Sequence, residues 1–204
     1  MARIGILGGT FNPPHIAHLV CAQEATVQLE LDAVVLMPAA TPPHKPLDDE
    51  PGPEVRLELC RLAAGRDARL EVSDLEVARG GPSYTVDTLA QLHERHPGDE
   101  LTWIAGGDIA ASLPAWREPE RVLALARFAV VEREGAARAE IERAVESLAG
   151  RDSVVFLDMP RIDVSSSLIR RRVAAGLPIR YLVPDEVAAY IGERGLYRSP
   201  VAAS

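Results

Sequence analysis

Two histidines follow a pair of glycines near the N-terminus, in the segment Gly8 to His18 (GGTFNPPHIAH). An apolar run precedes the glycines and a helical pattern begins at His15, so the segment predicts a strand, a tight turn and a helix N-terminus. Glycines let a backbone approach an anion closely, and the first N–H groups of a helix point at it. The segment therefore predicts a phosphate-binding turn.

The histidine spacing supports the same chemistry. His15 and His18 are three positions apart, so both lie on one face of the first helical turn, where each imidazole can donate an N–H to a phosphate oxygen. The alternative is that one histidine caps the helix and the other packs, which we prefer for a lone histidine but not for a pair behind a glycine turn. The P-loop and the G-x-G-x-x-G dinucleotide fingerprint are both absent from the sequence, so the phosphate is held in another way.

Short apolar runs recur along the chain and alternate with stretches of helical spacing, such as Leu57, Cys60, Arg61 and Ala64. This alternation predicts a parallel sheet covered by helices on both faces. In such sheets ligands bind at the carboxyl ends of the strands, where the glycine turn would lie. The predicted strands are Arg3–Leu7, Ala33–Pro38, Leu70–Leu75, Leu101–Ala105, Phe128–Glu132 and Val154–Leu157.

The segment 39–53 differs in texture, because it contains five prolines together with Asp48, Asp49 and Glu50. Proline at this density predicts a loop that is mobile or faces the substrate. The acidic trio is interpreted as a solvated run of charge, and we predict no metal site formed by protein ligands.

The composition is that of a compact globular protein, with 47% hydrophobic and 25% charged residues. A length of 204 residues allows one sizeable core, so a single domain spanning residues 1–204 is expected. The net charge of −8 disfavours nucleic acid and anionic membranes as partners. Cys21 and Cys60 belong to no metal or disulfide pattern and are expected to pack in the core. The first apolar run is too short for a signal peptide or membrane span, so the cytoplasm is the predicted location.

The segment Gly8 to His18 resembles the first signature of the nucleotidylyltransferase superfamily, whose usual H-x-G-H is here His15-Ile16-Ala17-His18. Ala17 adds one methyl group near the expected nucleotide, and activity is expected to survive it. The segment Val164 to Arg170 (VSSSLIR) is similar to the second signature, I-S-S-T-x-I-R. Serines at a helix start supply caps and N–H groups, and Arg170 one turn later supplies a fixed cation. An ordinary capped helix is the alternative for this motif on its own.

Three further stretches resemble the nicotinate-nucleotide branch of that superfamily: Thr41 to Lys45 (TPPHK), Pro82 to Leu89 (PSYTVDTL) and Leu113 to Trp116 (LPAW). The end of the chain, Gly195 to Arg198, is similar to the usual tail of the family. The resemblance implies a single Rossmann-like α/β domain with a parallel central sheet and a small C-terminal helical portion at about residues 165–198. The alternating strands and helices predict the same class.

The resemblance also implies which residues bind each substrate. Trp116 would stack on the pyridine, backbone N–H groups would receive its carboxylate, and Asp108 of the motif Gly106-Gly107-Asp108 would hold the adenosine ribose or orient the site. A helix cap is the alternative for Asp108. The residues implied for ATP are Gly8, Gly9, Thr10, Phe11, His15, His18, Gly106, Asp108, Ser165, Ser166 and Arg170. Those implied for the nicotinate nucleotide are His44, Lys45, Tyr84, Thr85, Trp116 and Arg133.

The implied reaction joins ATP to nicotinic acid mononucleotide and gives deamido-NAD and pyrophosphate. His15, His18 and Arg170 would be catalytic, and Mg²⁺ would be bound mainly through the phosphates of ATP. Another phosphate acceptor, either nicotinamide mononucleotide or phosphopantetheine, is one alternative, and a noncatalytic nucleotide-binding regulator is another. The preference for acid over amide and the formation of a homo-oligomer stay open.

Overall fold

The computed structural model describes residues 1–43, 50–132 and 136–198, with the backbone alone at Asp108, Glu132, Ala136 and Ala137. Within these ranges no helix combines the length and the apolar character that crossing a membrane would require.

A six-stranded parallel sheet, in the order β3-β2-β1-β4-β5-β6, forms the centre of the fold. The chain starts in the middle of the sheet, builds one half outwards and then returns to build the other half beside β1. The strands are β1 (Arg3–Gly9), β2 (Ala33–Pro38), β3 (Leu70–Val72), β4 (Glu100–Gly106), β5 (Arg127–Glu132) and β6 (Val154–Asp158).

Helices connect the strands and cover the sheet. Two of their boundaries have a clear local cause: α2 starts with Pro53, whose missing N–H costs nothing at a helix start, and α9 is followed by Gly195 in the left-handed conformation. The helices are α1 (Ile16–Gln28), α2 (Pro53–Ala64), α3 (Leu75–Arg79), α4 (Thr85–Arg95), α5 (Gly107–Ala110), α6 (Pro119–Leu125), α7 (Ala136–Val145), α8 (Ser166–Ala174) and α9 (Asp185–Arg194).

Each face of the sheet has its own core, because successive residues of a strand point to opposite sides. Ile6 of β1 packs with residues of α4, α6 and α7, whereas Leu7 packs with residues of α1 and α2. A third cluster joins α2 to the C-terminal helices, with Leu59 of α2 against Ile169 of α8 and Ile191 of α9. The C-terminal portion is therefore packed onto the sheet domain through α2.

The predicted fold class is confirmed, and each predicted strand is present with small changes at its ends. The third strand is shorter than predicted, because Leu75 begins α3 instead of ending β3. Arg61 does not share the buried face of α2 with Leu57 and Cys60; it is exposed and pairs with Glu58 at 3.5 Å. Cys21 and Cys60 are both buried, in agreement with the prediction that they pack in the core.

The two central strands, β1 and β4, lie side by side where the order of the sheet reverses. A crevice forms at the carboxyl ends of the strands at such a point, because the connections on its two sides lead away in opposite directions. Gly8 and Gly9 end β1 and Gly106 ends β4, so the glycine turn lies at this crevice.

Candidate active site

Aromatic side chains pack closely against the glycine turn. A Cβ atom at Gly8 would run into the indole ring of Trp103 on β4, and one at Gly9 would lie 3.2 Å from the ring of Phe11. Phe11 itself has a φ of 51° and is almost completely buried. The structure thus adds a packing reason for glycine at position 8 to the phosphate-approach reason given by the sequence.

The two histidines lie at the start of α1. His15 is the N-cap, with an extended backbone and only 4% of its surface exposed, and His18 is in the first turn. The backbone N–H of His15 donates to Nδ1 of His18 at 3.1 Å. Because Nδ1 accepts this bond, the proton of a neutral His18 is on Nε2.

The histidine rings are stacked on each other, with centroids 3.7 Å apart and an interplanar angle of 23°. The ring of Phe11 meets His18 edge to face at 4.9 Å. The two imidazoles therefore lie side by side at the start of α1. Phe11 supports this arrangement from within the fold, since its own side chain is buried.

The second motif meets the first at the start of α8. Ser165 caps this helix by accepting from the N–H of Leu168 at 3.2 Å, as its position predicted. The hydroxyl of Ser166 donates to the carbonyl of Pro13 at 2.7 Å, and the guanidinium of Arg170 donates to the carbonyl of Asn12 at 2.9 Å. These two bonds bring residues about 150 positions apart in the chain to the same turn.

The C-terminal tail reaches the same place. The hydroxyl of Tyr197 donates to Oδ1 of Asn12 at 2.7 Å. Asn12 is therefore held by Arg170 through its carbonyl and by Tyr197 through its side chain. No role for Asn12 or Tyr197 could be predicted from the sequence, because the two residues are 185 positions apart and meet only in the folded chain.

A cavity of about 380 Å³ extends from the glycine turn to the start of α4. It joins residues of the first motif to residues from the middle of the chain. Among the described residues, its lining includes neither histidine of the first motif and no member of the second motif. The predicted site residues that line it are Gly8, Gly9, Thr10, Tyr84, Thr85 and Trp116. Trp103 and Glu76, which the sequence did not single out, also line it.

The aromatic walls of this cavity are held in place by their neighbours. The indole N–H of Trp116 donates to the hydroxyl of Ser112 at 3.0 Å, and the ring meets Phe128 edge to face at 5.7 Å. The guanidinium of Arg117 lies 5.0 Å from the ring centroid of Tyr84 and pairs with Asp87 at 3.2 Å. Tyr84 and Trp116 are therefore fixed surfaces.

Glu76 of α3 is a buried carboxyl group at the edge of the cavity. Burial raises its pKa above the ordinary value for glutamate, and the hydroxyl groups of Thr88 and Ser83, which donate to it, and the charge of Arg79 oppose this rise. The hydroxyl of Ser83 also accepts from the N–H of Ala40 at 2.9 Å. Glu76 and Ser83 thus tie the start of α4 to the segment after β2.

Other residues singled out in the sequence are not among the described residues that line the cavity. His44, Lys45 and Arg133 lie outside the described residues. Gly106 ends β4 and is the N-cap of α5, so the alternative of a cap does not fit Asp108, which lies inside that helix. Ala17 is 3% exposed, so nearly all of its methyl group is covered by protein.

Glu50 corrects one prediction. The sequence predicts a solvated run of charge at Asp48, Asp49 and Glu50, but the carboxylate of Glu50 pairs with Arg56 at 2.8 Å and its side chain is only 24% exposed. Asp48 and Asp49 lie outside the described residues. Arg56 was overlooked, although its position four residues before Cys60 places it on the buried face of α2. Among the described residues no group of three His, Cys, Asp or Glu side chains is arranged to hold a metal ion.

Comparison with known proteins gives a consistent result. A family model described as cytidylyltransferase-like matches residues 6–172. A protein of Roseiflexus sp., named "Probable nicotinate-nucleotide adenylyltransferase", is 47% identical over 97% of this chain and 98% of its own length. A protein of the same name from Citrifermentans bemidjiense is 44% identical over 96% of this chain and 98% of its own length.

Solved structures share the fold. The nicotinic acid mononucleotide adenylyltransferase of Plasmodium falciparum has been solved in complex with APC and with NaAD. The first of these structures superimposes with a TM-score of 0.74 at 17% identity, over 97% of this chain and 98% of the other. The family match and the two bacterial relatives establish that the chain belongs to the cytidylyltransferase-like family and, within it, to the nicotinate-nucleotide adenylyltransferases.

Proposed function

We propose that this chain transfers the adenylyl group of ATP to nicotinic acid mononucleotide, giving deamido-NAD and pyrophosphate in the biosynthesis of NAD. The observation that carries the proposal is the single cavity that joins the glycine turn to Tyr84, Thr85 and Trp116. A transfer between two nucleotides requires both to be bound within bonding distance, and a cavity that runs from the turn assigned to the phosphates of ATP to these side chains supports that arrangement.

The acceptor half of the cavity suits an aromatic acid. Tyr84 and Trp116 supply the aromatic walls, of which Trp116 is the proposed stacking surface for the pyridine ring. Thr85 is the first residue of the eleven-residue helix α4, where backbone N–H groups and the helix dipole favour a carboxylate. The names of the bacterial relatives support the same acceptor.

The ATP half is assigned to the glycine turn and the elements bound to it. Gly8, Gly9 and Thr10 would approach the phosphates with their backbone, while Nε2 of His18 donates an N–H to the α-phosphate. His15 and Arg170 share the developing negative charge. Ser165 and Ser166 are assigned to the same nucleotide, because Ser166 holds α8 against the turn.

In the proposed reaction a phosphate oxygen of the acceptor attacks the α-phosphorus of ATP in line, and the bond to the β,γ-pyrophosphate breaks. The attacking phosphate is already an anion at neutral pH, so a strong general base is unnecessary. Catalysis then rests on alignment of the two substrates and on donors aimed at the charge that develops.

We propose that Mg²⁺ accompanies ATP, held mainly through its phosphates, where it would reduce their negative charge. Gly106 and Asp108 are assigned to the adenosine end of ATP. His44, Lys45 and Arg133 are assigned to the acceptor nucleotide on the resemblance alone. A cytoplasmic location remains a prediction from the sequence.

Pyrophosphate release tests the proposal directly. The purified chain is supplied with ATP, Mg²⁺ and one acceptor at a time: nicotinic acid mononucleotide, nicotinamide mononucleotide or phosphopantetheine. Release should be fastest with nicotinic acid mononucleotide. Faster release with another acceptor would contradict the assigned substrate, and binding of ATP without release from any acceptor would favour a noncatalytic regulator.

A further inference from the structure

Arg56 is the largest side chain that is fully buried in the described part of the chain. It lies in the first turn of α2, and its guanidinium donates in three directions. The recipients are the carbonyl of Thr10 at 2.9 Å, the carbonyl of Ala40 at 2.9 Å and the carboxylate of Glu50 at 2.8 Å. A planar group with donors on both edges can hold three such partners at once, which an ammonium on a flexible stem cannot do in the same geometry.

The three partners belong to different parts of the site. Thr10 is in the glycine turn after β1 and lines the cavity. Ala40 follows β2, and Glu50 stands shortly before α2, at the far end of the segment that joins them. Arg56 therefore connects the turn assigned to ATP with both ends of the segment that contains His44 and Lys45.

The connection continues to the acceptor wall. The carbonyl of Ala40 accepts from Arg56, while its N–H donates to the hydroxyl of Ser83, the residue before Tyr84. The N–H of Ala39 donates to the carbonyl of Gly9 at 2.9 Å. An unbroken path of hydrogen bonds thus runs from Thr10 through Arg56 and Ala40 to Ser83. Arg56 is not among the residues that line the cavity, so the guanidinium acts through its partners.

We propose that Arg56 is a positioning residue that fixes the spacing between the ATP turn and the acceptor wall, and so aligns the acceptor phosphate with the α-phosphorus. The proposal rests on the proposed function. In-line transfer is sensitive to alignment, since a displacement of about 1 Å can lower the rate on the order of a hundredfold. Loss of the guanidinium fork should therefore reduce turnover more than it weakens the binding of either substrate alone.

The test compares Arg56→Lys with Arg61→Lys, and Glu50→Gln with Glu58→Gln. The controls Arg61 and Glu58 are in the same helix and form an exposed pair with each other, at 3.5 Å. At saturating substrates we expect Arg56→Lys to lower kcat by about tenfold to a hundredfold, with dissociation constants for ATP alone and for the acceptor alone changed less than about threefold. Glu50→Gln should lower kcat by a few fold, and both controls should match the parent.

Unchanged kcat in Arg56→Lys, or a fall matched by an equal loss of single-substrate binding, would overturn the proposal. If Arg56→Lys does not fold, Glu50→Gln decides: lower kcat at an unchanged unfolding midpoint supports the proposal, and unchanged kcat overturns it. The comparison uses whichever acceptor the parent turns over fastest, so a wrong acceptor would contradict only the proposed function.

A readout independent of turnover covers the case of an inactive parent. Hydrogen exchange at the amides of Ala39 and Ala40 should be at least about tenfold faster in Arg56→Lys than in Arg61→Lys, because losing the bond from Arg56 to the carbonyl of Ala40 loosens the segment that carries both amides. Equal exchange in the two variants would overturn the positioning role.

Discussion

Replacement of His18 by asparagine and by alanine separates a catalytic histidine from a capping one. In the structure the N–H of His15 donates to Nδ1 of His18, so the N–H of a neutral His18 is at Nε2. Oδ1 of asparagine is the same number of bonds from Cβ as Nδ1, so His18→Asn can accept the capping bond. It has no donor where Nε2 was, and alanine has neither group.

The expected size of each effect follows from the bond that is lost, which is either the donor bond of Nε2 or the capping bond to Nδ1. Loss of a donor to the developing charge is worth about 10²–10³ in kcat, or about 2.7–4 kcal/mol of transition-state stabilisation. Loss of a capping contact lowers the free energy of unfolding by about 1 kcal/mol. We therefore expect both variants to lose at least about a hundredfold in kcat, while only His18→Ala is destabilised by about 1 kcal/mol.

Pyrophosphate release gives kcat, and urea unfolding gives the free energy of unfolding. His93→Asn, at an exposed histidine of α4, serves as the matched control and should resemble the parent in both measurements. Near-parent turnover in His18→Asn would refute the catalytic role and leave His18 as a cap.

Three further outcomes are expected from packing and burial. Gly8→Ala forces its methyl group against Trp103, so the free energy of unfolding should fall by about 1–3 kcal/mol in urea; an unchanged value would contradict the close packing. Burial raises the pKa of Glu76, so the folded protein keeps a proton on this carboxyl group at pH values where the unfolded chain has lost it. The free energy of unfolding should therefore fall as the pH rises from the unfolded pKa of about 4.3 through the folded pKa. In urea unfolding measured across this pH range, Glu76→Gln should remove the fall in the free energy of unfolding. An unaltered pH profile in this variant would contradict the role of Glu76. Burial also raises the pKa of the Cys60 thiol, so under native conditions it should react with a thiol reagent far more slowly than in denaturant; equal rates would contradict the burial.

The sheet could be predicted because its strands leave a local signal. Short apolar runs such as Leu101–Ala105 and Val154–Leu157 are bounded by polar or turn residues, and the alternation with helices permits few arrangements. The end of β3 was misplaced at Leu75, since an apolar residue that begins a helix has the same local appearance as one that ends a strand.

The parts of the candidate site that depend on neighbouring residues in the sequence could be predicted. The glycine turn, the position of His15 at the helix start and the cap by Ser165 follow from short-range rules. The partners of Arg56 and Glu50 do not, because they depend on three segments that meet only in the folded chain. The same holds for Trp103, whose ring excludes a side chain at Gly8 on the neighbouring strand.

The central claim is that the α-phosphorus of ATP is attacked by the phosphate of nicotinic acid mononucleotide. Its most direct test uses ATP labelled at the α-phosphorus, with separation of the products by mass. The label should appear in deamido-NAD, and the released pyrophosphate should be unlabelled. Label in an inorganic product would contradict attack at the α-phosphorus. In a mixture of nicotinic acid mononucleotide, nicotinamide mononucleotide and phosphopantetheine, a labelled product formed from either of the last two would contradict the assigned acceptor.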